Sequence, residues 1–235
     1  MNNEIKIIQT GSVINITLSR PKVLNALNLN MVREIQKGIT IWDNDPNISC
    51  VIIEGDGDRA FCAGGDIVSV YHSKNDKENN LAEDFFKEEY ILNTNIKNFN
   101  KPWVSILDGI SMGGGLGLAM HGSHRIVTEN VLAAMPETAI GLFPDVGGGH
   151  FLSRTRGELG LFLALTGYQL KKEDCLFLGL GTNYILRKNI LKLKNQLNIN
   201  KKLSKLDISN IINNFSNESE EGPLASIEDE VNKNF

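Results

Sequence analysis

The chain has 235 residues, 41% of them hydrophobic, enough for one domain with a sizeable core or one domain with an appendage. Twenty-four Lys and Arg against 28 Asp and Glu give a net charge of −4 with no long basic block, which excludes the electrostatic footprint of a nucleic-acid binder or a polybasic membrane surface and points to a small-molecule ligand. Cys50, Cys62 and Cys175 lie far apart with no CxxC spacing and no Cys/His cluster, so neither a disulfide framework nor a metal site is expected, and the compartment reads as reducing.

The N-terminal stretch "MNNEIKIIQTGSVINITLSRP" has neither the apolar core of a secretory signal nor an Arg-rich leader, and no run is apolar enough to span a membrane. Its alternation predicts strands over Ile5–Ile8 and Val13–Leu18, joined by a turn at Thr10, Gly11 and Ser12. Leu27, Met31, Ile35, Ile39 and Trp42 then recur every three or four residues, predicting a helix capped by Asn25 or Asn28 and stopped at Asp45-Pro46. "SCVIIEG" (Ser49 to Gly55) reads as a strand buried on both faces. The glycine-rich "GDGDRAFCAGGDI" runs into a helix with Asp66 in its first turn, and the polar stretch His72 to Asn80 reads as a mobile surface loop. "LAEDFFKEEYILNTNIKNF" has helical period. "WVSILDG" (Trp103 to Gly109) is a second buried strand, again followed by glycines, "GISMGGGLGLAMHG", that open a helix. "HRIVTEN" and "VLAAM" are strand-like, "GELGLFLALTG" and "KKEDCLFLGL" helical, and from Arg187 onward the Lys-, Asn- and acid-rich remainder reads as short surface helices.

Between Ala134 and Phe151, Glu137 and Asp145 are the two acids in an otherwise uncharged run of apolar residues, prolines and glycines. Carboxylates held among apolar groups are perturbed acids, common at active sites. The same residues also suit plain structure: Pro136-Glu137 can start a helix, and Asp145 can cap a segment beginning at Val146. The turns "CAGGD" and "MGGGLG" each follow a buried strand and can present free backbone N–H groups, yet neither is a nucleotide fingerprint and there is no Walker A lysine. "GISMG" matches the nucleophile-elbow pattern, which makes Ser111 a candidate nucleophile with Asp145 and His150 in triad order. His72, His121, His124 and His150 otherwise read as surface or core residues.

Read together at this spacing, "RAFCAGGDI", "DGISMGGGLGLAMHG" and "MPETAIGLFPDVGGG" make the chain resemble the crotonase (enoyl-CoA hydratase/isomerase) superfamily from about Ile5 to the end. Within it the chain is similar to the 3-hydroxyisobutyryl-CoA hydrolase branch, with "FFKEEYILN" and "LALTGYQLK" matching as well. The resemblance implies an α/β fold, a ClpP-like spiral of ββα units, with an acyl-CoA-binding catalytic core over 1–186. A helical C-terminal region over 187–235 is shorter than family members carry, and that region is where the family covers CoA and forms homo-oligomers. It implies an oxyanion hole from the N–H groups of Gly65 and Gly114, and CoA contacts, mainly through backbone, at Lys22, Val23, Leu24, Ala63, Asp66 and Ile67. Hydratases carry a glutamate just after the glycine triplet, where this chain has Gly117; the hydrolase branch instead combines Glu137 with Asp145 and Glu89. Glu137 would attack the thioester or activate water, Asp145 would position water and hold a proton, and Glu89 would bind the substrate 3-hydroxyl. The resemblance further implies thioester hydrolysis in valine breakdown without a separate cofactor, CoA being part of the substrate, and a mitochondrial location, with the cytoplasm the alternative for a chain showing no transit peptide. The rivals are a serine esterase using Ser111 and a catalytically inactive acyl-CoA-binding relative.

Overall fold

The computed structural model describes residues 4–73, 80–199 and 201–235, so the loop expected over His72 to Asn80 falls largely outside the described residues. β1 (Ile5–Thr10) and β2 (Val13–Leu18) form the expected antiparallel hairpin, with Ile5 opposite Leu18 and Thr10 opposite Val13. α1 (Leu29–Asn44) starts where the Asn28 side chain accepts the Met31 N–H at 2.9 Å, and it buries Met31, Val32, Ile35, Ile39 and Trp42. Of the two candidate caps, Asn28 is the one used.

The chain then shuttles between two sheets. β3 (Cys50–Gly55), β5 (Trp103–Leu107) and β7 (His124–Val127) lie parallel in a large sheet ordered β1-β2-β3-β5-β7-β9, its edge being the two-residue β9 (Asn183–Tyr184). Each of the three hands the chain to a three-residue strand of a small parallel sheet: β4 (Ala60–Cys62), β6 (Ile110–Met112) and β8 (Leu132–Ala134). This repeat is the spiral that the crotonase resemblance implies. β8 was expected as a strand, whereas β4, β6 and β9 were not.

Helices fill the turns of the spiral. α2 (Ile67–Ser73) and α3 (Leu81–Asn98) follow β4, and α4 (Gly114–Met120) follows β6. A 3-10 turn over Glu137–Ile140 follows β8, and then come α5 (Gly148–Leu152), α6 (Leu159–Thr166) and α7 (Lys172–Phe177). One face of the large sheet, with Ile14, Ile16, Val51 and Ile53, packs with α1 and α3 into the main core. The other face, Val13, Cys50, Ile52, Val104 and Ile126, is covered by Leu193 and Leu197 of α8 (Arg187–Leu197) and Ile208 and Ile212 of α9 (Lys205–Phe215). Each such side chain fully buried contributes about 1.5–3 kcal/mol. α9 opens on a capping box between Ser204 and Asp207, and α10 (Pro223–Asn234) packs against α6 and α7. Cys50, Cys62 and Cys175 are free and buried, their thiols pushed up to about 12 by burial. Among the described residues no helix is long and apolar enough to cross a membrane.

Candidate active site

Because the small sheet is parallel, its three strands end on the same side, and the residue after each strand builds one wall of a single cavity of about 230 Å³. Gly64 and Gly65 come after β4, Gly113 and Gly114 after β6, and Glu137 after β8, with Phe85 and Glu89 of α3 and Asp145 completing the lining. The Gly113 N–H donates to the Ala134 carbonyl at 3.1 Å, locking the second wall to the third. Gly113 has φ +48, and a Cβ there would stand 2.7 Å from Glu137 Oε1. A Cβ on Gly114 would strike Glu89 Oε1 and lie 3.1 Å from the Gly65 nitrogen. Only glycine backbone therefore fits between the two glutamates and the amide pair. Among the described residues neither the Gly65 nor the Gly114 N–H donates to a protein acceptor, and Gly114 stands at the first position of α4, where the helix supplies none. Two free donors side by side on a cavity wall suit a developing oxyanion.

Three carboxyl groups face these donors. Glu137 is 7% exposed with Oε2 unpartnered, and burial, reinforced by Asp145, pushes it up to about 7 against a counteracting hydrogen bond from its own backbone. Glu89, 2% exposed with Oε1 unpartnered, is pushed up to about 8 by burial and then by the charges of Asp145 and Glu137. Asp145 is half-buried and likewise raised by burial, while the Tyr90 hydroxyl, donating to its Oδ2 at 2.7 Å, pulls the other way. The cluster thus holds both protonated and ionised carboxyls near neutrality, the combination acid and base chemistry needs. Among the described residues no three His, Cys, Asp or Glu side chains converge closely enough to hold a metal ion.

Gly117, one turn into α4, has no room for a side chain: a Cβ would lie 2.7 Å from Val146 Cβ and 3.0 Å from Asn93 Nδ2. Val146 itself is held at φ +43. Of the expected CoA contacts, Ala63 and Ile67 line the cavity. Lys22 and Val23 are exposed on the 3-10 turn Pro21–Val23, and the Ala63 N–H donates to the Leu24 carbonyl at 3.0 Å, which fixes that turn beside the glycine loop. Asp66 departs from expectation. It precedes α2 instead of lying in its first turn, its side chain accepts the Ser69 N–H at 3.1 Å and pairs with Arg20 at 2.8 Å, and its backbone is engaged at both ends, the N–H donating to the Leu27 carbonyl at 2.8 Å and the carbonyl accepting the Val70 N–H at 3.1 Å.

The serine alternative does not assemble. Ser111 is fully buried in β6, where its hydroxyl donates to the Gly109 carbonyl at 3.3 Å and not to a histidine; Asp145 is engaged by Tyr90; and His150 is exposed beside His121, ring centroids 6.4 Å apart. The capping role weighed for Asp145 is also unused, since α5 begins at Gly148 after Gly147, whereas Pro136-Glu137 does start the 3-10 turn. His72 lies exposed on α2 and His124 contacts Ser209 at 3.0 Å. Sequence reasoning missed Tyr90 and Asn93. For Asn93 the signal was present: Phe85, Glu89, Asn93 and Ile96 fall at helical spacing on the buried stripe of α3, so two polar residues, Glu89 and Asn93, stand where apolar ones belong; Tyr90 lies off that stripe and gave no such signal.

This architecture has counterparts among known proteins. The chain is 48% identical over 218 residues to "3-hydroxyisobutyryl-CoA hydrolase, mitochondrial" of Xenopus tropicalis, covering 93% of this chain and 56% of that one. It is 46% identical over 216 residues to the human protein of the same name, covering 92% and 56%. The chain therefore spans little more than half the length of these curated relatives. Among solved structures, a carnitinyl-CoA dehydratase from Mycobacterium thermoresistibile superposes with TM-score 0.90 at 36% identity, and an enoyl-CoA hydratase from Rhodobacter sphaeroides 2.4.1 with TM-score 0.88 at 37% identity. Each match covers 99% of this chain and 66% of the other. The spiral, the glycine walls and the acids all lie inside residues 13–235, which match the profile described as Enoyl-CoA hydratase/isomerase, and the chain belongs to that family.

Proposed function

We propose that the chain binds an acyl-CoA thioester and hydrolyses it to the free acid and CoA. The observation that carries this reading is the buried, unpartnered Glu137 carboxyl set against the free Gly65 and Gly114 amides across a glycine-only gap. The thioester oxygen would sit on the two N–H groups while its carbonyl carbon faces Glu137. Attack on that carbon, either by the Glu137 oxygen or by a water that Glu137 deprotonates, forms the tetrahedral oxyanion, and its collapse breaks the C–S bond and expels the CoA thiolate, which takes up a proton. In the first route water then opens the mixed anhydride; in the second the acid forms directly. Asp145, oriented by Tyr90, positions the water and holds a proton, and Glu89 takes the hydroxyl of a 3-hydroxyacyl group.

The substrate we infer is 3-hydroxyisobutyryl-CoA, the compound in the names of relatives at 46–49% identity, and with it their mitochondrial setting and a place in valine breakdown. The closed position at Gly117 supports hydrolysis over hydration, because addition of water across a double bond uses a second acid there in the family pattern. Lys22, Val23, Leu24, Ala63, Asp66 and Ile67 are the proposed CoA contacts. The decisive assay is thiol release from 3-hydroxyisobutyryl-CoA by the purified chain beside Glu137→Gln and Ser111→Ala. Turnover lost in Glu137→Gln and kept in Ser111→Ala supports the proposal; calorimetric CoA binding without turnover in the folded wild type overturns it in favour of a binding protein. Hydroxylamine trapping of an acyl-Glu137 adduct separates the two routes.

A further inference from the structure

Behind the active-site cavity lies a second one, of about 240 Å³, and its lining differs in kind. Tyr90, Asn93, Thr94 and Lys97 contribute one face of α3, and His121 and His150 stand opposite. Among the described residues no carboxylate lines it, and neither Lys97 nor the His150 ring takes part in an ion pair. Asn93 is 4% exposed, and neither its Nδ2 nor its Oδ1 has a hydrogen-bond partner, an arrangement that is expensive unless something else supplies one. The two imidazoles have centroids 6.4 Å apart, close enough to grip one small group from two sides. The Nε2 of His121 meets the Val146 carbonyl at 2.8 Å; a carbonyl only accepts, so Nε2 carries the proton, and Nδ1 donates to an anion in the cavity only once the ring takes up a second proton, as an adjacent anion would favour. Burial disfavours the His121 cation, and the neighbouring positive groups His150 and Lys97 act in the same direction, as they would where a counter-anion is lacking.

We propose that this rear cavity is a binding site for a small carboxylate, held by the Asn93 amide, the Lys97 ammonium and the two histidines. The inference goes beyond the hydrolase reading and does not depend on it, since it concerns groups outside the reacting cluster. It matters to that cluster all the same: the Tyr90 ring lines the rear cavity while its hydroxyl holds Asp145, so an occupant stands one side chain away from the front acids.

The test is titration of the full chain with sodium acetate, followed by the imidazole Hε1–Cε1 NMR signals, with sodium chloride at matched ionic strength as control. The expected result is saturable displacement of the His121 and His150 signals while those of His72 and His124 stay in place. The double variant Lys97→Ala/His150→Ala should weaken the acetate affinity read at His121 by about tenfold or more, the loss expected on removing charge-assisted donors, with an unchanged melting temperature. Absence of saturable displacement in the wild type overturns the proposal, as does equal affinity in the double variant. Displacement by inorganic phosphate but not by acetate overturns the carboxylate assignment in favour of a phosphate site. Because the readout is at the rear histidines, a negative result leaves thiol release, and hence the hydrolase reading, separately testable.

Discussion

Two buried asparagines show how differently this chain treats polar groups. Asn25, fully buried with φ +57 in the turn after β2, is saturated: its Oδ1 accepts the Arg20 N–H at 2.9 Å, and its Nδ2 donates to the Asp56 and Ala60 carbonyls at 3.0 and 2.8 Å. The side chain of Asn93, almost as buried, bonds to nothing among the described residues. The contrast extends to their surroundings. Far from the acids, Asp174 accepts the Leu224 N–H at 3.0 Å and Asn183 donates to Asn213 and Ser216, whereas Glu89 and Glu137 each keep a bare oxygen. Of the six buried side-chain N and O atoms without a partner among the described residues, four belong to Glu89, Asn93 and Glu137. Gln36 and Ser105 supply the other two, and the structure explains neither. Saturated polar groups hold the fold; unsaturated ones collect where a ligand can complete them.

Substitutions should separate the two kinds. Glu137→Gln is expected to lower thiol release by about 10²–10⁴-fold, the usual worth of a positioned acid-base group, with no loss of melting temperature because a buried carboxyl is only neutralised. Asn25→Ala should leave activity per folded molecule intact but cost about 2–5 kcal/mol in denaturant unfolding, since it orphans one N–H and two carbonyls and puts Ala at positive φ. Asn93→Leu should change stability by less than about 1 kcal/mol, there being no bond to lose; a cost equal to that of Asn25→Ala would erase the comparison. Tyr90→Phe, which frees Asp145 from its donor, should lower kcat by about tenfold and move the pH limb of the carboxyl cluster upward, because the hydroxyl is what holds Asp145 down. The last comparison is of pH-dependent stability. Glu89 keeps its proton in the folded chain up to about 8 but ionises near 4.5 when unfolded, so the folded state binds more protons in that window and wild-type stability falls as pH rises through it. Glu89→Gln should flatten that decline, read as melting temperature at pH 5 and pH 8.

Much of this was legible beforehand, for stated physical reasons. The α1 stripe, the runs "SCVIIEG" and "WVSILDG", and the glycine turns behind them follow from local periodicity and from residue types with few alternatives. The acids at 137 and 145 stood out by composition alone. β4, β6 and β9 did not, because strands of two or three residues are fixed by partners distant in the chain, Ala60 to Ile110 and Ile126 to Asn183, and leave no period to detect. Asp66 was placed a residue too deep: its cap to Ser69 is local and an Asp just before a helix could have been read as one, whereas its pull toward Arg20 is a tertiary fact. Tyr90 and Asn93 were absorbed into a helix whose period they obey; burial reveals Asn93 as an exception, whereas Tyr90, exposed on the neighbouring face, is revealed only by its hydrogen bond to Asp145.

The interlock between Gly117 and Val146 bears on how such chemistry could change over time. A glutamate arriving at 117 would meet the Val146 Cβ before it met any substrate, so that single step yields a damaged fold and no selectable gain. Trimming Val146 first costs some packing but relieves a β-branched residue at positive φ, and only then, with the Asn93 amide 3.0 Å away also giving ground, does a longer side chain at 117 have somewhere to go. The path from this active site toward one with a second acid after the glycines therefore has a compulsory order, and a lineage that has not yet taken the silent first step is locked into the chemistry it has.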